Sequence, residues 1–149
     1  ERINMQLASC MAGIAFSNSS LGINHSIAHA IGAKYHVAHG KANAVIMPKI
    51  ILFNSMVQSA SDNYDEIAKA LDFNVKQKGE GAELLARAID IRKAKMGIPA
   101  ALRDLGISKD QYSKDIEDIM ALVDKDICTV YNPRKFNRAQ LRELLENLY

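Results

Sequence analysis

All four histidines of the chain, His25, His29, His36 and His39, fall within fifteen consecutive residues, and the rest of the 149-residue sequence has none. Imidazole is the commonest neutral metal ligand and the side chain whose charge changes near neutral pH. The chemistry this segment points to is therefore metal ligation or proton transfer. His25 and His29 stand four apart in the helix-forming run Asn24-His-Ser-Ile-Ala-His-Ala-Ile-Gly32. On a helix that spacing places both on one face, with Cβ atoms roughly 5–6 Å apart, so that two rings can converge on one ion. His39 reads as a residue of the following loop, just before Gly40, where a turn can bring it back towards the first helical turn. His36 reads as a polar loop residue.

The bland alternative has weight. A metalloprotease pair needs Glu beside the first histidine, and here Ser26 stands there. Paired buried histidines often only hydrogen-bond a neighbour. A divalent-metal site with open chemistry wants three protein ligands and usually a carboxylate. The nearest acids in sequence are Glu1 and Asp62, so the local supply is incomplete. On the residues alone, three readings stay open: part of a catalytic metal site, a stand-alone His-cluster metal-binding domain, and a non-catalytic helical interaction module.

Other motifs add no chemistry. Gly79-Glu-Gly81 lacks the third glycine of a dinucleotide loop and follows no strand, so it reads as a turn before a helix. No P-loop and no Gly-x-Ser-x-Gly elbow occur. Cys128 has no base near it in sequence and reads, like Cys10, as a reduced, buried thiol of a cytoplasmic protein.

The elements that must hold the histidines are helical. Ile3, Leu7, Cys10, Met11, Ile14 and Ala15 follow a helical stripe that ends near Ser17–Ser20, with small residues inviting a close neighbour. Asn24 is positioned to cap a helix from His25 to about Tyr35. Ala42 to about Asn54 reads as an almost wholly apolar helix that Pro48 should kink. Further helices are expected at 62–71, at 81–95 with Leu84, Leu85, Ala88 and Ile91 inward, and from Pro99 to Gly106. Another starts at Ser108 or Ser113, with Ile116, Ile119, Met120 and Val123 on one face, and the last is capped by Asn137. The best strand candidate, Ile127–Tyr131, is short and stopped by Asn132-Pro133. The expectation is an all-α multi-helix bundle forming one domain, residues 1–149.

Composition bounds the partners. Apolar residues make up 48% and charged residues 24%, with a net charge of +2, which suits one globular domain and gives no footprint for nucleic acid or an anionic membrane. The longest apolar run, 44–53, contains Lys49 and is too short to span a bilayer. The chain opens inside a helical pattern at Glu1-Arg2-Ile3, which looks like a cut through a longer polypeptide.

Taken together, Ala12-Gly-Ile-Ala-Phe16-Ser-Asn-Ser-Ser-Leu-Gly22-Ile-Asn-His25-Ser-Ile-Ala-His29-Ala-Ile-Gly32 and His39-Gly-Lys-Ala-Asn-Ala44 resemble the signature of the iron-containing (group III) alcohol dehydrogenases. Asp126-Ile-Cys-Thr-Val-Tyr-Asn-Pro-Arg134 looks like that family's closing motif, and 97–107 is similar as well. The resemblance implies a dehydroquinate-synthase-like C-terminal helical domain. It implies that His25 and His39 are two metal ligands, and that His29 lies beside the nicotinamide as proton relay and cofactor contact. Phe16 would line the substrate pocket, Cys128 would fall near the cleft, and His36 inherits no role. The remaining ligands, an Asp and a His, and an N-terminal dinucleotide-binding domain would lie upstream of Glu1. The cofactors implied are Fe²⁺, with Zn²⁺ the alternative, and NAD or NADP; the substrate is a small alcohol or aldehyde. Homo-oligomerisation is expected, and the 149-residue chain alone is expected to bind metal weakly at most and to show no turnover.

Overall fold

The computed structural model describes residues 1–149. Eight α-helices form without a single strand: α1 (Arg2–Ser19), α2 (Ile23–Tyr35), α3 (His39–Asn54), α4 (Gln58–Ala70), α5 (Gly81–Lys95), α6 (Lys109–Lys125), α7 (Ile127–Val130) and α8 (Arg138–Leu148), with a 3-10 turn at Leu102–Leu105. The all-α expectation holds. The strand candidate does not: Ile127–Val130 is a helical turn, because Asp126 caps it by accepting the Cys128 amide hydrogen at 2.8 Å. A capping bond outweighs the weak β preference of so short a run.

Helix α2 lies at the centre, packed between α3 and α6, while α5 covers the far side of α3 and carries α4, and α8 closes against α6 and α3. Ile23, Ile27 and Ile31 repeat every four residues along α2 and are fully buried. Each such side chain contributes roughly 1.5–3 kcal/mol by leaving water. Ile116, Ile119, Met120 and Val123 form the expected buried face of α6, and Leu141, Leu144, Leu145 and Leu148 form that of α8. Ser108, not Ser113, caps α6 through the Gln111 amide, and Asn137 and Gln140 close a capping box on α8. Ile91, expected inward, is half exposed on α5.

Three local expectations are corrected. Helix α2 begins one residue before Asn24, with Gly22 as its cap. The missing side-chain cap comes from far away: Asn132 Oδ1 accepts the Ile23 amide hydrogen at 3.1 Å. A Cβ at position 22 would stand 2.9 Å from that oxygen, so a side chain there would push against the Asn132 cap. Cys10 is exposed, unlike Cys128. The stripe on α1 buries nothing; Ile3, Met5, Leu7, Met11 and Ile14 are all open to solvent.

Pro48 lies inside α3 without ending it. Its ring nitrogen has no hydrogen for the carbonyl four residues back. Beside this gap the Lys93 ammonium, 2% exposed, donates to Val45 O at 3.2 Å, to Ala100 O at 3.3 Å and to the Asp90 carboxylate at 2.8 Å. Lys93→Met keeps the stem and removes these bonds. Because each buried acceptor left short of a donor costs 1–3 kcal/mol, it should lower unfolding free energy by about 2 kcal/mol in a urea titration.

Gly79 and Gly81 are structural, as a turn before a helix requires. The Asp65 carboxylate accepts both amide hydrogens at 2.7 Å, which holds its carboxyl below the ordinary range. A Cβ on Gly81 would stand 2.6 Å from the backbone of α4, so glycine sets the close approach of α4 and α5.

Candidate metal centre

The sequence places His25 and His29 one turn apart on α2, and the fold adds His39 by a return path. Helix α2 ends at His36, whose backbone is left-handed (φ 55°). The loop then doubles back over Gly32, where a Cβ would lie 3.2 Å from the Val37 carbonyl. Helix α3 therefore starts abreast of the middle of α2. His39 is its first residue, a helical position where the sequence suggested a loop. The His25 and His39 rings are 5.3 Å apart between centroids, His29 stacks on His39 at 5.1 Å, and His25 meets His29 edge-on at 6.1 Å. His36 stays outside this cluster as the exposed turn residue.

Hydrogen bonds orient the rings. Asn43, one turn along α3, places its amide nitrogen 3.1 Å from His39 Nε2 and donates to the His39 carbonyl at 3.1 Å. Asn24 in turn donates to Asn43 Oδ1 at 2.7 Å, tying α2 to α3 beside the rings. Asn24 Oδ1 is buried with no protein donor in reach. His29 is held by Asp126, whose Oδ2 lies 2.7 Å from Nδ1. Neither Asn24–Asn43 nor Asp126 was assigned to the site by sequence reasoning. Asp126 is 97 residues from His29, and the sequence offers it only as the opening residue of the family's closing motif.

The electrostatics favour ligation. Burial, followed by the neighbouring His39 and His29 rings, pulls the His25 pKa below its ordinary 6.5. A lowered pKa keeps the ring neutral at neutral pH, with a lone pair free for a cation. Burial pushes the Cys128 thiol up, and the hydrogen bond and charge of Asp126 add to this, so the thiol stays protonated. The donor atoms of His29, Asp126 and Cys128 lie within 4.8 Å of one another. That group is nonetheless poorly suited to an ion, since the carboxylate already accepts hydrogens from His29, Ser26 and Cys128. The donors that suit a first-row divalent cation are imidazole nitrogens, and His25, His29 and His39 bring three rings together here.

His25 opens onto a cleft of about 310 Å³ between α2 and α3, walled further by Met47, Ile51, Tyr64 and Tyr131. Phe16 does not line it; it stands on the uncovered α1, 45% exposed. No helix is long and apolar enough to cross a membrane.

Known proteins resemble the chain along its whole length. Residues 1–149 match the family described as Fe-containing alcohol dehydrogenase family, C-terminal. The chain is 36% identical over 148 residues to an NADPH-dependent butanol dehydrogenase of Clostridium saccharobutylicum, covering 99% of this chain and 38% of that protein. It is 36% identical over 150 residues to a 1,3-propanediol dehydrogenase of Citrobacter freundii, covering 99% of this chain and 37% of the other. The crystal structure of a 1,3-propanediol oxidoreductase superposes with a TM-score of 0.85 at 31% identity, over 95% of this chain and 36% of that one. The chain thus spans less than two fifths of the length of these relatives. It belongs to the Fe-containing alcohol dehydrogenase family and corresponds to the C-terminal part of its members.

Proposed function

We propose that this chain supplies the His25–His39 half of the metal site of an NAD(P)-linked alcohol dehydrogenase that interconverts small alcohols and aldehydes. The observation that carries this reading is the convergence of three imidazoles, from two helices, within 5.1–6.1 Å. A divalent cation held there (Fe²⁺ by family, Zn²⁺ the alternative) would supply Lewis acidity towards a substrate oxygen, and a bound nicotinamide would supply the hydride chemistry. The chain's own residues do the rest. His25, neutral and half-buried, offers a lone pair from α2, and His39 offers one from the first turn of α3. His29, the most solvent-open ring of α2, passes the substrate's hydroxyl proton outwards through its imidazole. Phe16 is assigned to the substrate pocket by its place in the family signature.

The missing carboxylate and third imidazole, and the dinucleotide-binding domain, come in this reading from polypeptide upstream of Glu1. Helix α1 is where that polypeptide docks: an apolar helix of 18 residues that buries nothing here needs a cover. The free thiols of Cys10 and Cys128 suit a reducing, cytoplasmic setting.

The test is reconstitution. The polypeptide with its upstream region should oxidise butanol or propanediol with NAD⁺ or NADP⁺ after Fe²⁺ loading, lose that activity on chelation and regain it on reloading. The 149-residue chain should show none. Turnover by the 149-residue chain, or undiminished turnover after the metal is stripped, contradicts the proposal.

A further inference from the structure

Asp126 enters no step above, yet it is the most heavily bonded carboxylate of the cluster. Its Oδ2 lies 2.7 Å from His29 Nδ1. Its Oδ1 accepts the Cys128 amide hydrogen at 2.8 Å and faces the buried Ser26 hydroxyl at 3.2 Å. Ser26 is braced by the Thr129 hydroxyl, which donates to Ser26 Oγ at 2.8 Å. Ser26 and His29 are three apart on α2, so the carboxylate seats on one helix face at two points, while its own backbone starts α7.

The geometry points to Asp126 as a positioning residue that decides which nitrogen of His29 carries the proton. An ionised carboxylate only accepts hydrogen bonds. Burial opposes its ionisation, but the bonds from His29, Cys128 and Ser26 outweigh that and hold the carboxyl below its ordinary range. The 2.7 Å contact therefore requires hydrogen on Nδ1. In the neutral ring Nε2 is then the bare nitrogen, the same division of labour by which a carboxylate fixes the tautomer of a working histidine elsewhere. The opposite tautomer would set a lone pair against a carboxylate oxygen and leave Nε2 unable to take a proton. The consequence for turnover rests on the proposed role of His29 in moving the substrate proton.

Selective ¹⁵N-histidine labelling of the 149-residue chain reads the tautomer directly, with His29 identified by the signal lost in His29→Gln. In mildly alkaline solution the unsubstituted chain should show His29 protonated at Nδ1 and bare at Nε2. Asp126→Asn can donate to Nδ1 through its amide, and should move the proton to Nε2 while the other three histidines keep their signals. A His29 protonated at Nε2 in the unsubstituted chain overturns the inference whether or not the variant folds. A tautomer unmoved in folded Asp126→Asn overturns it equally. In the reconstituted polypeptide, Asp126→Asn should lower kcat about 10–100-fold, the usual effect of losing an outer carboxylate partner, with metal content and KM little changed. A moved tautomer with unchanged kcat removes the catalytic consequence. If the reconstituted polypeptide oxidises no alcohol, the proposed function fails while the tautomer measurement still stands on its own.

Discussion

His25→Ala and His39→Ala, each introduced into the reconstituted polypeptide, should lower alcohol oxidation by more than about a hundredfold and leave the helices intact. Loss of an outer-shell partner already costs 10–100-fold in metal affinity or activity, and a direct ligand costs more. The fold tolerates both changes for local reasons. His25 lies inside α2 among residues whose packing runs through Ile23 and Ile27, and His39 is exposed on the first turn of α3. Alanine suits both helical positions. Circular dichroism should therefore match the parent while turnover collapses. His36→Asn provides the contrast. Asparagine tolerates the left-handed backbone that His36 adopts, and the residue lies outside the cluster, so activity should be unchanged.

The largest stability effect should come from Asn132→Ala. Asn132 is 2% exposed and makes four bonds at one junction. Its oxygen accepts from the Ile23 amide and from Asn54 Nδ2 at 3.2 Å; its nitrogen donates to Asn54 Oδ1 at 2.8 Å and to Arg134 O at 2.8 Å. Alanine leaves the start of α2 uncapped and strands both ends of the buried Asn54 amide. Each buried polar group so orphaned costs 1–3 kcal/mol, so the sum is about 3 kcal/mol or more, read as a lowered midpoint in urea unfolding. Asn132→Asp should not rescue it, since a carboxylate lacks both donors and is buried without a cation. His25 sits in the first turn that Asn132 fixes, so metal affinity of the assembled polypeptide should fall with stability.

Much of this organisation was legible in the sequence because it is local. The four-residue spacing of His25 and His29, the buried stripe of α6 and the capping residues of α6 and α8 all follow from helical periodicity and nearest-neighbour hydrogen bonds. The return of His39 to the cluster could be anticipated because only a short loop separates it from α2. What escaped reading depends on distant partners. Asp126 meets His29 across 97 residues and Asn132 meets Ile23 across 109; no window on the sequence contains both members of either pair. The same cause explains the missed start of α2, since its cap is supplied by Asn132 and not by Asn24. At Ile127–Tyr131, the best strand candidate, β-branched residues favour an extended run locally, and one capping carboxylate decides for a helical turn. On α1, periodicity reports that an apolar face wants covering and not what covers it.

The central claim is that His25 and His39 are metal ligands, and X-ray absorption at the iron edge of the reconstituted polypeptide tests it most directly. Rigid imidazole rings bound to a metal give an outer-shell scattering pattern that can be counted. In the His25→Ala/His39→Ala double variant that pattern should shrink to the contribution of ligands upstream of Glu1, or vanish with the metal itself. A double variant that keeps full iron content and an undiminished imidazole pattern would contradict the account.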